Sequence, residues 1–554
     1  MTTTYFRMTA VITGALVVAA AFTAFTSAAS PRFYDDDPIW VEHDTQDAAA
    51  MKPLEVDLVV DLTYNMLAAA ENSDVRAQNV NTVDEVPDSS WFTNRIGHRS
   101  MTATDIANGP NTTTGPAAGT WTVISSKSDG VTPGFTIRDA TGQVWFLKFD
   151  PPGYRAMATG TEVAVTKLMW ALGYNVPENH VAHMRREQLV VGDGAKFTPL
   201  AAKTRPMRLS DIDSLLARAD REPEGSFRVV ASKALQGRPI GRVRFYDTRS
   251  DDPNDIVPHE DRRELRGYGV FAAWLNHVDA KAINSLDMLV TDNGRSFVRH
   301  HLIDFGSSLG SSGVAPADHW AGHQYLLQPG DIARQMLGFG FHFPDWHTTK
   351  SYEAPSIGRL PQDSTGFNPI LWKPRVPNRA FLHARADDNF WAAQKLVALT
   401  DEMLRAAVTT GEFNDPASEA FLVRALGERR DAIAQAYLTA VNPISDPVLD
   451  DSGTLTFRNA AVDAGVAQAP VTYRAAWSTF DNATGTGRPI AATSAATTRI
   501  NAPAALPSTP GAFIKIELSS IGGAHASWET PVDAYFRLTG GKWQLVGFTR
   551  IPEA

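Results

Sequence analysis

The chain has 554 residues, 43% of them apolar and 20% charged, a balance that supports packed cores over two to four domains. A formal net charge of −10, with no basic run, excludes a general nucleic-acid binder. The absence of cysteine excludes disulfides, thiolate chemistry and cysteine-based zinc sites.

Arg7 precedes an uncharged stretch from Met8 to Ser30 that ends in small residues, Ser27-Ala28-Ala29. This is the pattern of an export signal, and it is long enough to stay as a membrane anchor through residues 8–29. The expected location is therefore outside the cytoplasm: periplasm, cell envelope or extracellular space. Residues 31–119 read as an N-terminal extension with a helical stretch over Val56–Ala70. Pro87 to Phe92 reads as a packed surface segment, or as a loop with an aromatic anchor, and Asn108–Gly119, rich in Gly, Pro, Asn and Thr, as a linker or long loop.

From Thr120 the texture changes. Strands are expected over 120–126, 135–138 and 144–149, with the turn-rich loop Lys127–Gly134 between the first two. A helix is expected over Thr161–Leu172, stopped by Gly173, then strands near His180–Val191 and Phe227–Lys233. After Pro258 the pattern turns helical over Glu260–Asn276. Two further strands, Met288–Thr291 and Ser296–Ile303, flank Asn293-Gly294, a pair that tolerates positive φ and so predicts a hairpin. That hairpin would carry Asp304 back beside Asn284. Residues 307–380 show little periodicity, and Asp387–Ala440 is helical again. Asn442–Pro447 reads as a linker into an all-β tail over 448–554, a β-sandwich-like domain.

The chemistry-bearing residues are His277-Val278-Asp279-Ala280-Lys281-Ala282-Ile283-Asn284 and Asp304-Phe305-Gly306. Phosphoryl transfer needs a carboxylate to orient an attacking hydroxyl, and hard oxygen donors to hold magnesium against phosphates. Ahead of these lie a strand lysine, Lys148, and a helix acid, Glu162, in the order this chemistry uses. Taken singly, Lys148 is an ordinary strand lysine and Glu162 an ordinary acid of a helix first turn. His300 and His301 are adjacent on a strand and face opposite ways, so they read as structural.

The set resembles the H-R-D-x-x-x-x-N and D-F-G motifs of the protein kinase-like superfamily, over about residues 120–440. The resemblance implies an α+β, bilobal fold over 120–441, with a β-rich N-lobe at about 120–237 and an α-rich C-lobe at about 238–441. It implies Asp279 and Lys281 as catalytic residues, and Lys148 with Glu162 at the nucleotide phosphates. Ser126, Gly130 and Gly134 would belong to the phosphate-covering loop, and Asn284 and Asp304 to the metal. The cofactors implied are ATP and magnesium, or manganese in its place. The acceptor is a protein or a small molecule, and no nucleic-acid partner is expected. Val278 stands where an Arg would contact a phosphorylated activation loop, and Glu353-Ala354-Pro355 has the wrong order for A-P-E. These departures resemble the atypical branches: HipA-like, phosphoinositide-kinase-like and secreted kinases. On the same fold the alternatives are adenylyl transfer and a catalytically inactive pseudokinase acting as an envelope scaffold. No G-x-S-x-G or H-E-x-x-H signature supports a hydrolase.

Overall fold

A computed structural model describes residues 30–68, 74–127, 132–199, 203–328 and 345–552. The expected export segment and Gly130 lie outside these residues. Among the described residues, no helix is long and apolar enough to cross a membrane.

The N-terminal region supplies α1 (Leu58–Ala68) and the short α2 (Ala103–Asn108), whose Thr102 and Asp105 form a reciprocal capping box. A seven-stranded sheet follows. Its strands are β1 (Trp121–Ser126), β2 (Gly134–Arg138), β3 (Val144–Phe149), β4 (Asn179–Met184), β5 (Leu189–Phe197), β6 (Arg205–Pro206) and β7 (Phe227–Lys233). Their order across the sheet is β4-β7-β3-β2-β1-β5-β6. Between β3 and β4 runs α3 (Met157–Ala171), with α4 (Leu209–Leu216) later in the same lobe. Trp121, Val123, Phe135, Trp145, Leu147 and Val229 alternate inward to form one core beneath the sheet.

Helix α3 starts four residues earlier than its periodicity predicts. Asp150, at the end of β3, explains this. Its carboxylate accepts the N–H groups of Ala156, Ala158 and Thr159 at 2.9, 2.9 and 3.0 Å, and the Thr159 hydroxyl at 2.7 Å. A cap supplied from outside the helix satisfies donors that would otherwise be orphaned. The helix ends as expected at Gly173, whose φ is +116° and where a Cβ would lie 2.2 Å from the Phe92 ring.

The second lobe is helical around one large core. It contains β8 (Arg238–Gly241), α5 (Arg263–Leu275), the hairpin β9 (Ser285–Asp292) and β10 (Arg295–Leu302), then α6 (Arg379–Leu382), α7 (Ala386–Val397), α8 (Asp401–Thr409) and α9 (Pro416–Tyr437). The hairpin turn is Asn293-Gly294, both at positive φ (50° and 78°), as the residue pair predicts.

The extension differs from its sequence reading. The segment around Trp91 is an aromatic anchor and not merely a packed surface segment: Trp91 and Phe92 are buried in the large core. Trp91 stacks on the His300 ring at 3.4 Å, with the Arg262 guanidinium at 4.4 Å from its centroid. Asp84 joins Asp387 and Asp388 around the fully buried Arg263, at 2.9, 3.1 and 2.9 Å. Three carboxylates on one guanidinium tie the extension to α5 and α7. Periodicity cannot reveal this, because the partners lie more than a hundred residues apart.

The tail is β apart from α10 (Ala460–Asp463) and a 3-10 helix at Ala526–Glu529, and its first strand begins at Ile444, inside the stretch that reads as linker. Three strands (444–449, 454–459, 499–501) pack on a five-stranded antiparallel sheet around Trp477, Ile514, Ile516 and Phe536. Asn442 is buried and donates to Leu518 O and Thr530 O, both at 2.9 Å. Arg550 lies 3.7 Å from the Phe390 ring centroid and donates to Asn442 O at 2.7 Å, seating this tail on α7.

Candidate active site

The site is assembled from four elements. Strand β3 alternates, so Phe135-facing residues bury while Lys148 lies at the cleft side, paired across the sheet with Gly134. Helix α3 carries Glu162 in its second turn, 2% exposed, and not in the first turn where an isolated acid would gain from the dipole. Lys148 Nζ lies 3.2 Å from Glu162 Oε2 and 2.8 Å from Asp304 Oδ1. Glu162 also accepts the backbone N–H of Phe305 (3.0 Å, Oε1) and of Gly306 (3.0 Å, Oε2). One buried carboxylate therefore holds the lysine and fixes the Asp304-Phe305-Gly306 turn.

Asp304 adopts φ +61°, which costs a residue with a Cβ about 1 kcal/mol. The contacts made by its neighbours sustain that conformation, and strain of this kind collects at functional positions. Burial alone would raise the Asp304 pKa, but the charges of Lys148 and Lys127 outweigh it and hold the carboxylate below its usual range. Burial would likewise lower the Lys148 pKa. Asp304 and Glu162 reverse that and push it up, so the lysine stays protonated.

The loop after α5 forms the opposite wall. Helix α5 ends at Asn276, whose left-handed φ of 48° turns the chain out of the helix. Asn284 Nδ2 donates to Asp279 O at 2.8 Å and to Asp279 Oδ2 at 3.0 Å, and Lys281 Nζ lies 2.8 Å from Asp279 Oδ1. Asp279, Lys281 and Asn284 thus form one cluster. The hairpin returns as expected: Ile303 N–H donates to Asn284 O at 3.0 Å, which sets Asp304 one residue from that contact.

His277 is buried between the two groups. Its Nδ1 lies 2.9 Å from the Ser308 hydroxyl and 3.3 Å from Ser307 O, and its ring is 5.5 Å from that of Phe305. Burial lowers its pKa, against the opposing charges of Asp279 and Asp304, so it serves as a neutral hydrogen-bonding post.

With a β-sheet lobe bearing the lysine, one helix bearing its acid, and a helical lobe bearing the loop and the hairpin, the architecture is decided. The chain has a bilobal, kinase-like fold.

No family model matches the chain, and no curated relative matches it. Among solved structures it is similar to a Helicobacter pylori proinflammatory kinase, CtkA, at 12% identity over 55% of this chain and 93% of that one, with a TM-score of 0.27. It is also similar to the Golgi casein kinase, at 10% identity over 72% of this chain and 94% of that one, with a TM-score of 0.29. The fold assignment rests on the chain's own strand order and helix placement.

Not every expected residue joins the cleft. Ser126 is buried, and its hydroxyl accepts Thr198 N–H at 3.0 Å, which ties the end of β1 to the segment after β5. Gly134 opens β2 where a Cβ would lie 2.4 Å from Leu147 O, so the residue allows close strand approach. Val278 is buried with Ala317, Ala321 and Trp372 in a small apolar cluster, a place an arginine could not fill. His300 pairs with Asp287 at 2.8 Å, while the His301 ring lies 3.0 Å from Arg299 O, so the two histidines do not converge.

Two residues were missed as contributors. Lys127, at the start of the loop before β2, acts electrostatically on Asp304. Its signal was a cation opening the loop expected to cover phosphates. Asp150 aims α3, and a lone acid two residues past a strand lysine carries no comparable signal.

The donors fit magnesium. The Asn284 amide nitrogen is spent on Asp279, which leaves its oxygen as the end for a cation. The Asp304 carboxylate is 37% exposed and only Oδ1 meets Lys148. Among the described residues no three His, Asp or Glu side chains gather as a metal cage. Two oxygen donors suit an ion that keeps several of its waters.

Proposed function

We propose that this protein is an exported phosphotransferase that takes the γ-phosphoryl group of Mg-ATP and passes it to a hydroxyl acceptor on a protein or small molecule. The observation that carries the reading is Lys148 held by Glu162 and Asp304, facing a loop in which Asp279, Lys281 and Asn284 are already bonded to one another.

In this reading Lys148 binds the α- and β-phosphates as a point charge, and Glu162 keeps it extended. Lys127 adds a second cation at the mouth of the same cleft. Asp279 orients the acceptor hydroxyl and takes its proton as the acceptor oxygen bonds to the γ-phosphorus and the bond to the β–γ bridging oxygen breaks, releasing ADP. Lys281, beside Asp279, balances charge on the moving group. Asn284 Oδ1 and the Asp304 carboxylate would hold magnesium, whose charge would offset that of the phosphates. His277 acts through others: it is a positioning residue between the Asp279 loop and Ser307-Ser308. An export segment over residues 8–29, as the sequence pattern suggests, would put the reaction outside the cytoplasm.

The test uses ATP labelled at the γ or the α phosphorus, with wild type and Asp279→Asn. The reading expects γ-label transfer to a co-purified or added acceptor, or to the chain itself, reduced a hundredfold or more in the variant. Transfer of the α label instead would replace phosphoryl transfer by adenylyl transfer. Equal transfer by both proteins would remove Asp279 from the mechanism.

A further inference from the structure

A second set of charges lies behind the Asp279 loop. A cavity of about 690 Å³ opens between Asn276 at the end of α5, the segment over 346–373, and α9. Among its described lining residues three carry cationic side chains, Lys350, Lys373 and Arg429, against a single carboxylate, Asp363. That carboxylate is engaged in its own turn, accepting Thr365 N–H at 3.0 Å.

Arg429 is the unusual member. It is 4% exposed and makes no ion pair with any described residue. Its Nε donates to Trp274 O at 2.7 Å and its Nη2 to Ala273 O at 2.6 Å, and the guanidinium lies 3.6 Å from the Phe367 ring centroid. These contacts set it on the carbonyl end of α5, a partial negative charge only. Nη1 makes no hydrogen bond with a described residue. Burial pulls the pKa down to about 9, so the group remains charged at neutral pH. Taking a full charge out of water without a counter-charge is costly, and natural proteins normally pair such groups. A charge left unpaired on a cavity wall is one that a ligand can complete.

We infer that this cavity binds a small phosphate monoester, its phosphate on Arg429 Nη1 and the Lys373 ammonium. The excess of two positive charges matches a dianionic phosphate. Arginine meets phosphate with directed hydrogen bonds, stronger than those between neutral groups. The volume exceeds what a phosphate group needs and accommodates a sugar-sized remainder. Amide and hydroxyl side chains on the same lining, Gln324, Thr349 and Asn368, suit hydroxyl groups, and Trp372 offers a flat apolar face. Trp372 Nε1 donates to Asn276 Oδ1 at 2.9 Å and its ring packs on the cluster holding Val278, so the cavity wall is continuous with the loop that bears Asp279. The inference stands apart from the nucleotide reading, because it uses none of the residues at Lys148.

The test is calorimetric titration of the full chain at low salt with glucose 6-phosphate, and separately with inorganic phosphate. Saturable one-to-one binding of glucose 6-phosphate is expected, weakened tenfold or more in Lys373→Gln and in Arg429→Gln, tightened in Asp363→Asn, and unchanged in Lys148→Met. Arg429 also holds the end of α5, so if Arg429→Gln does not fold, Lys373→Gln decides. Absence of binding to wild type, or binding lost in Lys148→Met but kept in Lys373→Gln, would overturn the inference. Equal affinity for inorganic phosphate would overturn the assignment of an ester.

Discussion

Glu162 and Gly306 lie 144 residues apart, and the carboxylate of the first accepts the backbone N–H of the second at 3.0 Å. The same carboxylate accepts Phe305 N–H and meets Lys148. This acid therefore sets two parts of the cleft at once: the reach of the strand lysine and the turn that presents Asp304. Truncation to alanine would leave Lys148 with Asp304 alone and strand two buried N–H groups. We expect Glu162→Ala to cost about 3–5 kcal/mol, as for other broken buried pairs. Glu162→Gln, which keeps one acceptor oxygen, should cost less. Chemical denaturation of the two variants checks the order.

Asp150 tests how α3 is aimed. Its four accepted hydrogen bonds are the N-terminal cap of the helix that carries Glu162. Asp150→Ala should destabilise by about 2 kcal/mol, near the upper end for a lost cap. Amide hydrogen exchange at Ala158 and Thr159 should rise well above that at Leu168. Uniform exchange along the helix would contradict a local cap.

Phe92 tests whether the extension belongs to the folded body. Its ring is fully buried against Tyr174 and Trp391, 5.8 and 5.6 Å between centroids, and occupies the space Gly173 leaves open. Phe92→Ala should cost about 3–5 kcal/mol. Gly173→Ala should also be strongly destabilising, because a methyl group there meets the ring and the backbone sits at φ +116°. A loss below about 1 kcal/mol in Phe92→Ala would show the extension to be dispensable to the core.

His301 gives a pH dependence. Burial lowers its pKa from 6.5 to about 4. The folded state thus resists a proton that the unfolded state accepts. This stability is complete above about pH 6.5 and is lost as pH falls towards 4, up to roughly 3 kcal/mol. His301→Gln should remove most of this slope. Denaturation midpoints at pH 7.5, 5.5 and 4.5 would reveal it, and parallel curves for the two proteins would contradict it.

The residues that gather at the cleft were legible because the expected phosphoryl-transfer chemistry calls for particular residue types in a fixed order. Lys148, Glu162, Asp279, Asn284 and Asp304 need no periodicity to be found, and Asn293-Gly294 announces the hairpin that returns Asp304. What stayed hidden depends on contacts across long sequence separation. The Trp91 segment reads as packed surface before it reads as an anchor, because its partners, His300 and Arg262, lie far along the chain and no local pattern marks them. Ser126 resembles a loop hydroxyl until β5 pairs in parallel with β1 and Thr198 claims it. The strand from Ile444 reads as linker because Pro443 and Pro447 break the local pattern, while Asn442 and Arg550 supply the tertiary bonds that order it.

The central claim is that the cleft around Lys148 is a nucleotide site. Calorimetric titration of the full chain with Mg-ATP tests it most directly, for wild type, Lys148→Met and Asp304→Asn, each shown to be folded by circular dichroism. The account predicts one saturable site in wild type, weakened tenfold or more, about 1.4 kcal/mol, in each variant. No binding to wild type, or equal binding by all three proteins, would contradict it.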